Sequence, residues 1–286
     1  MRQVVKIWWV VIAVKLLLAK MPISYHKWRS FGIFRHGEML DLTYATNVFF
    51  KHYDRVRKSI NGGFTTLELG PGDSLASAVL SHAVGASSSV LLDVGKFAQT
   101  SDISFYNRLR SELLEKGFNA GVAPYQSIVD MLSKTNSSYL SNGLKDLKSL
   151  QSNSLSFVFS NAVLEHIRKS EFEIYVRELY RCHAPGSIGS HRVDLRDHLT
   201  GSLHSLRFSE KVWEEAFGYN SGFYTNRLRV NEIIDVFAKC GFDIILCESE
   251  TWDSLPLARE ALHKSFRNLD LNVLLVKGFD LIVRKN

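Results

Sequence analysis

Short apolar runs recur along the chain, each followed by a turn and a segment compatible with a helix. Phe64-Thr65-Thr66-Leu67-Glu68-Leu69 is the first, ending at Gly70-Pro71-Gly72-Asp73-Ser74 before a helical stretch from Leu75 to Val84. Val90-Leu91-Leu92 ends in Asp93 and precedes a polar helical segment, Ile103 to Phe118. A loop at Ala120–Tyr125 and a short helix to Lys134 lead to a third strand, Ser138–Ser141, closed by an Asn142-Gly143 turn. Ser156–Ser160 reads as the fourth strand, and a helix over Glu171–Cys182 follows. Pro185-Gly186 then breaks the chain before a fifth strand, Ser187–Leu195. A helix at Val230–Cys240 and strands at Asp243–Glu248 and Phe279–Arg284 complete the pattern. Strands alternating with helices predict an α/β fold around a mostly parallel sheet.

Ahead of this body the pattern changes. Pro22 ends a first helix, residues 23–60 are aromatic and basic with a predicted helix over Leu42–Ile60, and Asn61-Gly62-Gly63 breaks it. The organisation expected is a basic hydrophobic helix over 1–21, a helical cap over 22–60, and a main domain over 61–286. Within that domain an aromatic-rich insertion at 199–228 carries Phe208, Trp213, Phe217, Tyr219, Phe223 and Tyr224. Such rings pack on sugars and equally build ordinary cores.

Charge changes the picture only at the N-terminus. The net charge is +6, yet residues 1–37 hold seven basic residues and no acid, leaving 28 basic against 29 acidic residues elsewhere. A basic face for nucleic acid on the main domain is therefore not expected. The apolar stretch Val4–Ala19 includes Trp8 and Trp9 and is interrupted by Lys6 and Lys15. It is shorter than the roughly 20 apolar residues of a bilayer span. It can lie in the membrane interface, span once or pack on the body; peripheral contact through residues 1–20 with the inner face of a membrane is the expectation, with the catalytic body in the cytoplasm. Cys182, Cys240 and Cys247 have no metal spacing and are expected as free thiols.

The chemistry starts at the first loop. Asp93 lies 25 residues after Glu68, at the end of the second strand, where a carboxylate can accept hydrogen bonds from a ribose diol. A pyrophosphate fits the loop poorly: Glu68 stands two residues before the first glycine, Pro71 has no N–H, and Leu75 occupies the place of a third glycine. A phosphate-free cation suits it, because the acid attracts the ligand.

Glu68, Gly70 and Gly72 in acid-x-Gly-x-Gly order resemble the first motif of class I S-adenosylmethionine-dependent methyltransferases. The resemblance implies a Rossmann-like sheet, mostly parallel with its last strand antiparallel, preceded here by a helical extension. It implies S-adenosyl-L-methionine as cofactor and methyl donor, bound through Glu68, Gly70, Gly72 and Asp93. It also places Asn142 near adenine and Ser160 and Asn161 at the end of the fourth strand. Asn161-Ala162-Val163-Leu164-Glu165-His166-Ile167 is similar to the family's motif after that strand, with Glu165 and His166 either capping a helix or lining the site. A narrower set, Phe34–Met39, Phe159–His166, His191–His198 and Phe223–Arg227, looks like methyltransferases of bacterial surface-polysaccharide biosynthesis. That implies O-methylation of a sugar hydroxyl in a glycan or its precursor. A lipid or quinone acceptor and a non-catalytic partner subunit are the alternatives.

A sugar hydroxyl is a poor nucleophile at neutral pH, so a base is required. His191 or His198 is the expected base, oriented by Asp194 or Asp197. The spacing His-x-x-Asp-x-x-Asp-His is no zinc signature, and no metal is expected from it. A salt-bridged turn is the competing reading of the same residues.

Overall fold

The computed structural model describes residues 9–10, 39–60, 62–100, 102–217 and 223–286, the side chains of 215–217 apart. Residues 22–38 of the cap expected over 22–60, which include Phe34–Gly37 and Glu38, and Tyr219 fall outside the described residues, as does the N-terminal helix except Trp9 and Val10. Among the described residues no helix is long and apolar enough to cross a membrane.

Seven strands form one sheet. β1 is Thr65–Leu69, β2 Ser88–Leu92, β3 Ser137–Leu140, β4 Leu155–Asn161, β5 His183–Asp194, β6 Phe242–Thr251 and β7 Val276–Lys285. Their order is β3-β2-β1-β4-β5-β7-β6; β7 runs antiparallel between β5 and β6, and all other pairings are parallel. The chain winds outward from β1 in one direction to β3 and restarts at β4 in the other. The crevice between the carboxyl ends of β1 and β4 is therefore the switch point at which such sheets bind ligands. This is the Rossmann-like sheet expected, with its antiparallel last strand.

Helices cover both faces because the strands bury side chains on both. On β4, Phe157 and Phe159 face one core and Val158 the other. The first core is covered by α1 (Leu42–Val56), α2 (Ala76–Ala83) and α3 (Ile103–Glu115). α1 starts on Asp41, whose carboxylate accepts the Tyr44 N–H at 2.7 Å. Its buried positions Ala45, Val48, Phe49, His52 and Val56 keep helical spacing, and Phe49 meets Phe159 edge-on with ring centroids 5.7 Å apart. The second core is covered by α4 (Lys169–Cys182) and α5 (Val230–Lys239), through Phe172, Val176, Leu179, Ile233 and Phe237.

Three expectations shift. α1 stops at Val56, ahead of Ile60. β5 begins at His183, directly after α4, and Ala184–Ser187 bulge out where Leu155 pairs with His183 and Phe157 with Ile188. Pro185 lacks the N–H a ladder needs, so the strand loops out there without ending. Finally, β6 and β7 extend beyond the strands expected at Asp243–Glu248 and Phe279–Arg284 and are joined by residues 252–275. That connection folds into short helical turns around Leu262, Phe266 and Leu274.

Candidate active site

The loop after β1 needs its glycines. Gly70 and Gly72 have φ of +72° and +64°, a region costly for any residue with a Cβ. A Cβ on Gly70 would also lie 2.5 Å from Cγ2 of Val163. Val163 is brought there by a turn at Ala162, itself left-handed at φ +56° and held by its N–H to the Arg192 carbonyl at 2.9 Å. The end of β4 is thus folded over the end of β1.

Two carboxylates meet beneath this turn. Glu68 is 4% exposed, and its Oε2 has no hydrogen-bond partner among the described residues. Burial pushes its carboxyl up to about 8, with the charge of Asp93 adding to the rise and the Ser77 hydroxyl opposing it. Asp93 accepts from Val94 N at 2.7 Å and Gly72 N at 3.2 Å, and burial still raises it to about 6. A buried acid with an unpaired oxygen beside a second acid is a site that a cation stabilises. This donor set fits the ammonium and sulfonium of S-adenosylmethionine and opposes a phosphate.

Asn142 lies on the rim, at the end of β3. It is exposed, and Asp146 holds its side-chain amide at 3.0 and 3.2 Å; the neighbouring Gly143 N–H reaches the Asp93 carbonyl at 2.9 Å. Ser160 is turned away from the crevice: its Oγ is 2.8 Å from His191 Nδ1 in the second core. Asn161 sits on the opposite face of β4, the face of Phe159 and His52.

The structure separates the residues expected to act as base. His191 is fully buried, packed on Phe237 at 5.4 Å, and burial lowers it to about 3. Strand parity puts it inside the second core, with Phe237 and Ser160 under α5, which corrects its placement in the crevice. Asp197 is 3% exposed and its carboxylate is spent on the N–H groups of Leu199, Thr200 and His204, so it builds the turn after β5 and does not orient an imidazole. Asp194 is paired with Arg196 through two bonds of 2.9 and 2.7 Å; burial raises its carboxyl, but Arg196 outweighs this and the net shift is downward. His198 alone of the four is exposed, on a turn that carries it over His166 with ring centroids 4.8 Å apart. An open cleft of about 260 Å³ beside it is lined by Asp194, Arg196, Asp197, Leu199 and Thr200.

Burial of His52, His183 and His191 has a measurable consequence. Their values are pushed by burial down to about 4, 4 and 3. An unfolded chain takes up these protons near pH 6.5, so their stabilisation is complete above that pH and is lost as pH falls toward the folded values. His191→Gln removes one such group. The stability gap between parent and variant should narrow by about 2 kcal/mol from pH 7 to pH 5 in urea unfolding, at roughly 1.4 kcal/mol per pH unit. A constant gap would mean that His191 accepts a proton in place.

Two residues of the site have no local pattern of their own to mark them in the sequence: Val163, the lid over Gly70, and Asn226, the brace of the turn after β4. Asn226 donates to the carbonyls of Leu164 and Ile167 at 2.8 and 3.0 Å, and its N–H reaches the Glu165 carbonyl at 2.7 Å. Its only signal was the run Phe223–Arg227. Among the described residues of the aromatic-rich insertion, Trp213, Phe223 and Tyr224 are buried in a small core, and Trp213 Nε1 donates to the Thr225 carbonyl at 2.7 Å.

No family model matches the chain, and no curated protein matches it. Solved structures similar to it include an S-adenosylmethionine-dependent methyltransferase from Mesorhizobium loti, at 15% identity and TM-score 0.47, covering 85% of this chain and 100% of that one. A methyltransferase from Methanosarcina mazei is 13% identical with TM-score 0.48, covering 82% and 97%. A geranyl diphosphate methyltransferase in complex with SAM is 12% identical with TM-score 0.49, covering 85% of each chain.

Proposed function

We propose that the protein is an S-adenosylmethionine-dependent methyltransferase acting on a hydroxyl oxygen of a glycan or glycan precursor. The observation that carries this reading is the buried, half-unpaired Glu68 beside Asp93, under a double-glycine turn at the sheet's switch point. Glu68, Gly70, Gly72, Asp93 and Asn142 are the residues that would hold the donor, with Asn161 on the rim. When bound, S-adenosylmethionine supplies an electrophilic methyl group on a sulfonium. Glu68 and Asp93 lose their protons to meet its positive charge, and Val163 closes over the loop to limit water.

The acceptor side is the cleft beside His198. Its exposed rim of Arg196, His198 and Thr200 offers hydrogen bonds to a polyhydroxylated molecule. Attack of the acceptor oxygen on the methyl carbon releases the carbon–sulfur electron pair to sulfur, and the hydroxyl proton passes to the exposed imidazole of His198. Turnover of labelled donor against glycan precursors and against a lipid extract tests this. Label in the glycan fraction is the expected result; label only in lipid favours the lipid or quinone acceptor, and donor binding without turnover favours a partner subunit.

Residues 1–20 bring the enzyme to the inner face of a membrane in this reading, consistent with the exposure of Trp9 at 58%. The full chain should fractionate with membranes and be partly released by high salt, and a form starting at Pro22 should not. Equal solubility of the two forms would assign the segment to packing.

A further inference from the structure

Glu165, His166 and His198 form a group that donor binding does not use. Glu165 is 1% exposed; its Oε1 accepts the Asp194 N–H at 3.2 Å, and its Oε2 has no hydrogen-bond partner among the described residues. One ligand atom from each of the three side chains lies within 4.8 Å of the others. His166 Nδ1 is 2.8 Å from the Tyr224 carbonyl, so that nitrogen carries the proton and Nε2 keeps its lone pair. This is the arrangement in which imidazoles ligate metals, the second nitrogen anchored on a backbone carbonyl. Asn226 makes the turn bearing Glu165 and His166 rigid.

We propose that Glu165, His166 and His198 bind a divalent first-row transition cation, of the manganese, iron, cobalt or zinc class, at the mouth of the cleft. Two imidazoles and one carboxylate select such ions over magnesium and calcium, which take oxygen ligands. Ligand atoms about 2.1 Å from a metal stand about 3–3.5 Å apart, so a group that lies within 4.8 Å contracts by up to about 1–2 Å, which the exposed His198 ring can supply. Three protein ligands leave positions open toward the cleft, where an acceptor hydroxyl can bind and lose its proton to solvent, the cation then replacing the His198 imidazole in activating it. That use of the cation rests on the methyltransferase reading; the binding of the cation does not.

The test takes tag-free full-length protein stripped with EDTA and dialysed. Titration with Co²⁺, read by its visible absorption, and with Mn²⁺, read by electron paramagnetic resonance, should each saturate at one ion per chain. His198→Ala, on an exposed turn, and His166→Ala should each weaken binding by at least about tenfold. No saturable binding of either ion, or equal affinity in parent and both variants, overturns the proposal. Calorimetry with S-adenosylmethionine on the same stripped protein keeps the two readings apart. Absence of donor binding there counts against the methyltransferase and leaves the cation site to stand on the metal titrations.

Discussion

Gly70→Ala should cost the protein about 2–4 kcal/mol of stability, combining a left-handed φ with a Cβ forced against Val163. Urea unfolding measures this. The double variant Gly70→Ala, Val163→Ala should recover the part due to collision and leave about 1–2 kcal/mol due to backbone strain. Gly70→Val should abolish measurable S-adenosylmethionine binding, since neither the loop nor its lid can keep its course. Donor affinity at the parent level in Gly70→Val would remove the basis of the methyltransferase reading, because the double-glycine turn would then have no part in the site.

The second large effect lies in the two carboxylates. Asp93→Ala should weaken the donor by about 10- to 150-fold, the 1.5–3 kcal/mol scale of hydrogen bonds to a charged group. Tighter binding of NADH than of the methyl donor would favour a dehydrogenase instead. The same acids make donor affinity depend on pH. In the free protein, burial holds Asp93 at about 6 and Glu68 at about 8, so both carry protons at lower pH. A cationic ligand favours their ionised forms, so binding releases protons and affinity rises with pH until Glu68 is ionised, by up to about tenfold per unit per group. Glu68→Gln should flatten the upper part of this curve. Stability of the free protein runs the other way. A Glu68 raised above its unfolded value contributes fully below about pH 4.5 and loses that contribution as pH rises through about 8. Donor affinity independent of pH between these limits would mean that neither acid faces the ligand's charge.

Glu165 and His198 show why part of the site was legible and part was not. Glu165 and His166 stand out in the sequence for their place after the fourth strand, and His198 for its density of polar neighbours, but the pair and His198 are more than 30 residues apart. Their approach depends on β4 pairing with β5 and on the turn that Asp197 builds from three backbone N–H groups. Metal-ligand spacing is a local pattern, and a set assembled across two strands leaves none. His191 illustrates the opposite error. Its neighbours in sequence suggested a site, and strand parity sent it into the core with Ser160.

The amino-acid sequence by itself determined the alternation of strands and helices, the double-glycine turn after Glu68 and the acid ending the second strand. These features are set by apolar periodicity and by backbone preferences over a few residues. Tertiary structure decided which face each strand residue occupies, that Val163 covers Gly70, that three histidines are buried uncharged, and that Glu165, His166 and His198 share one corner. Each of those depends on strand register and on the helices packed across the sheet, where a shift of one residue exchanges one face for the other.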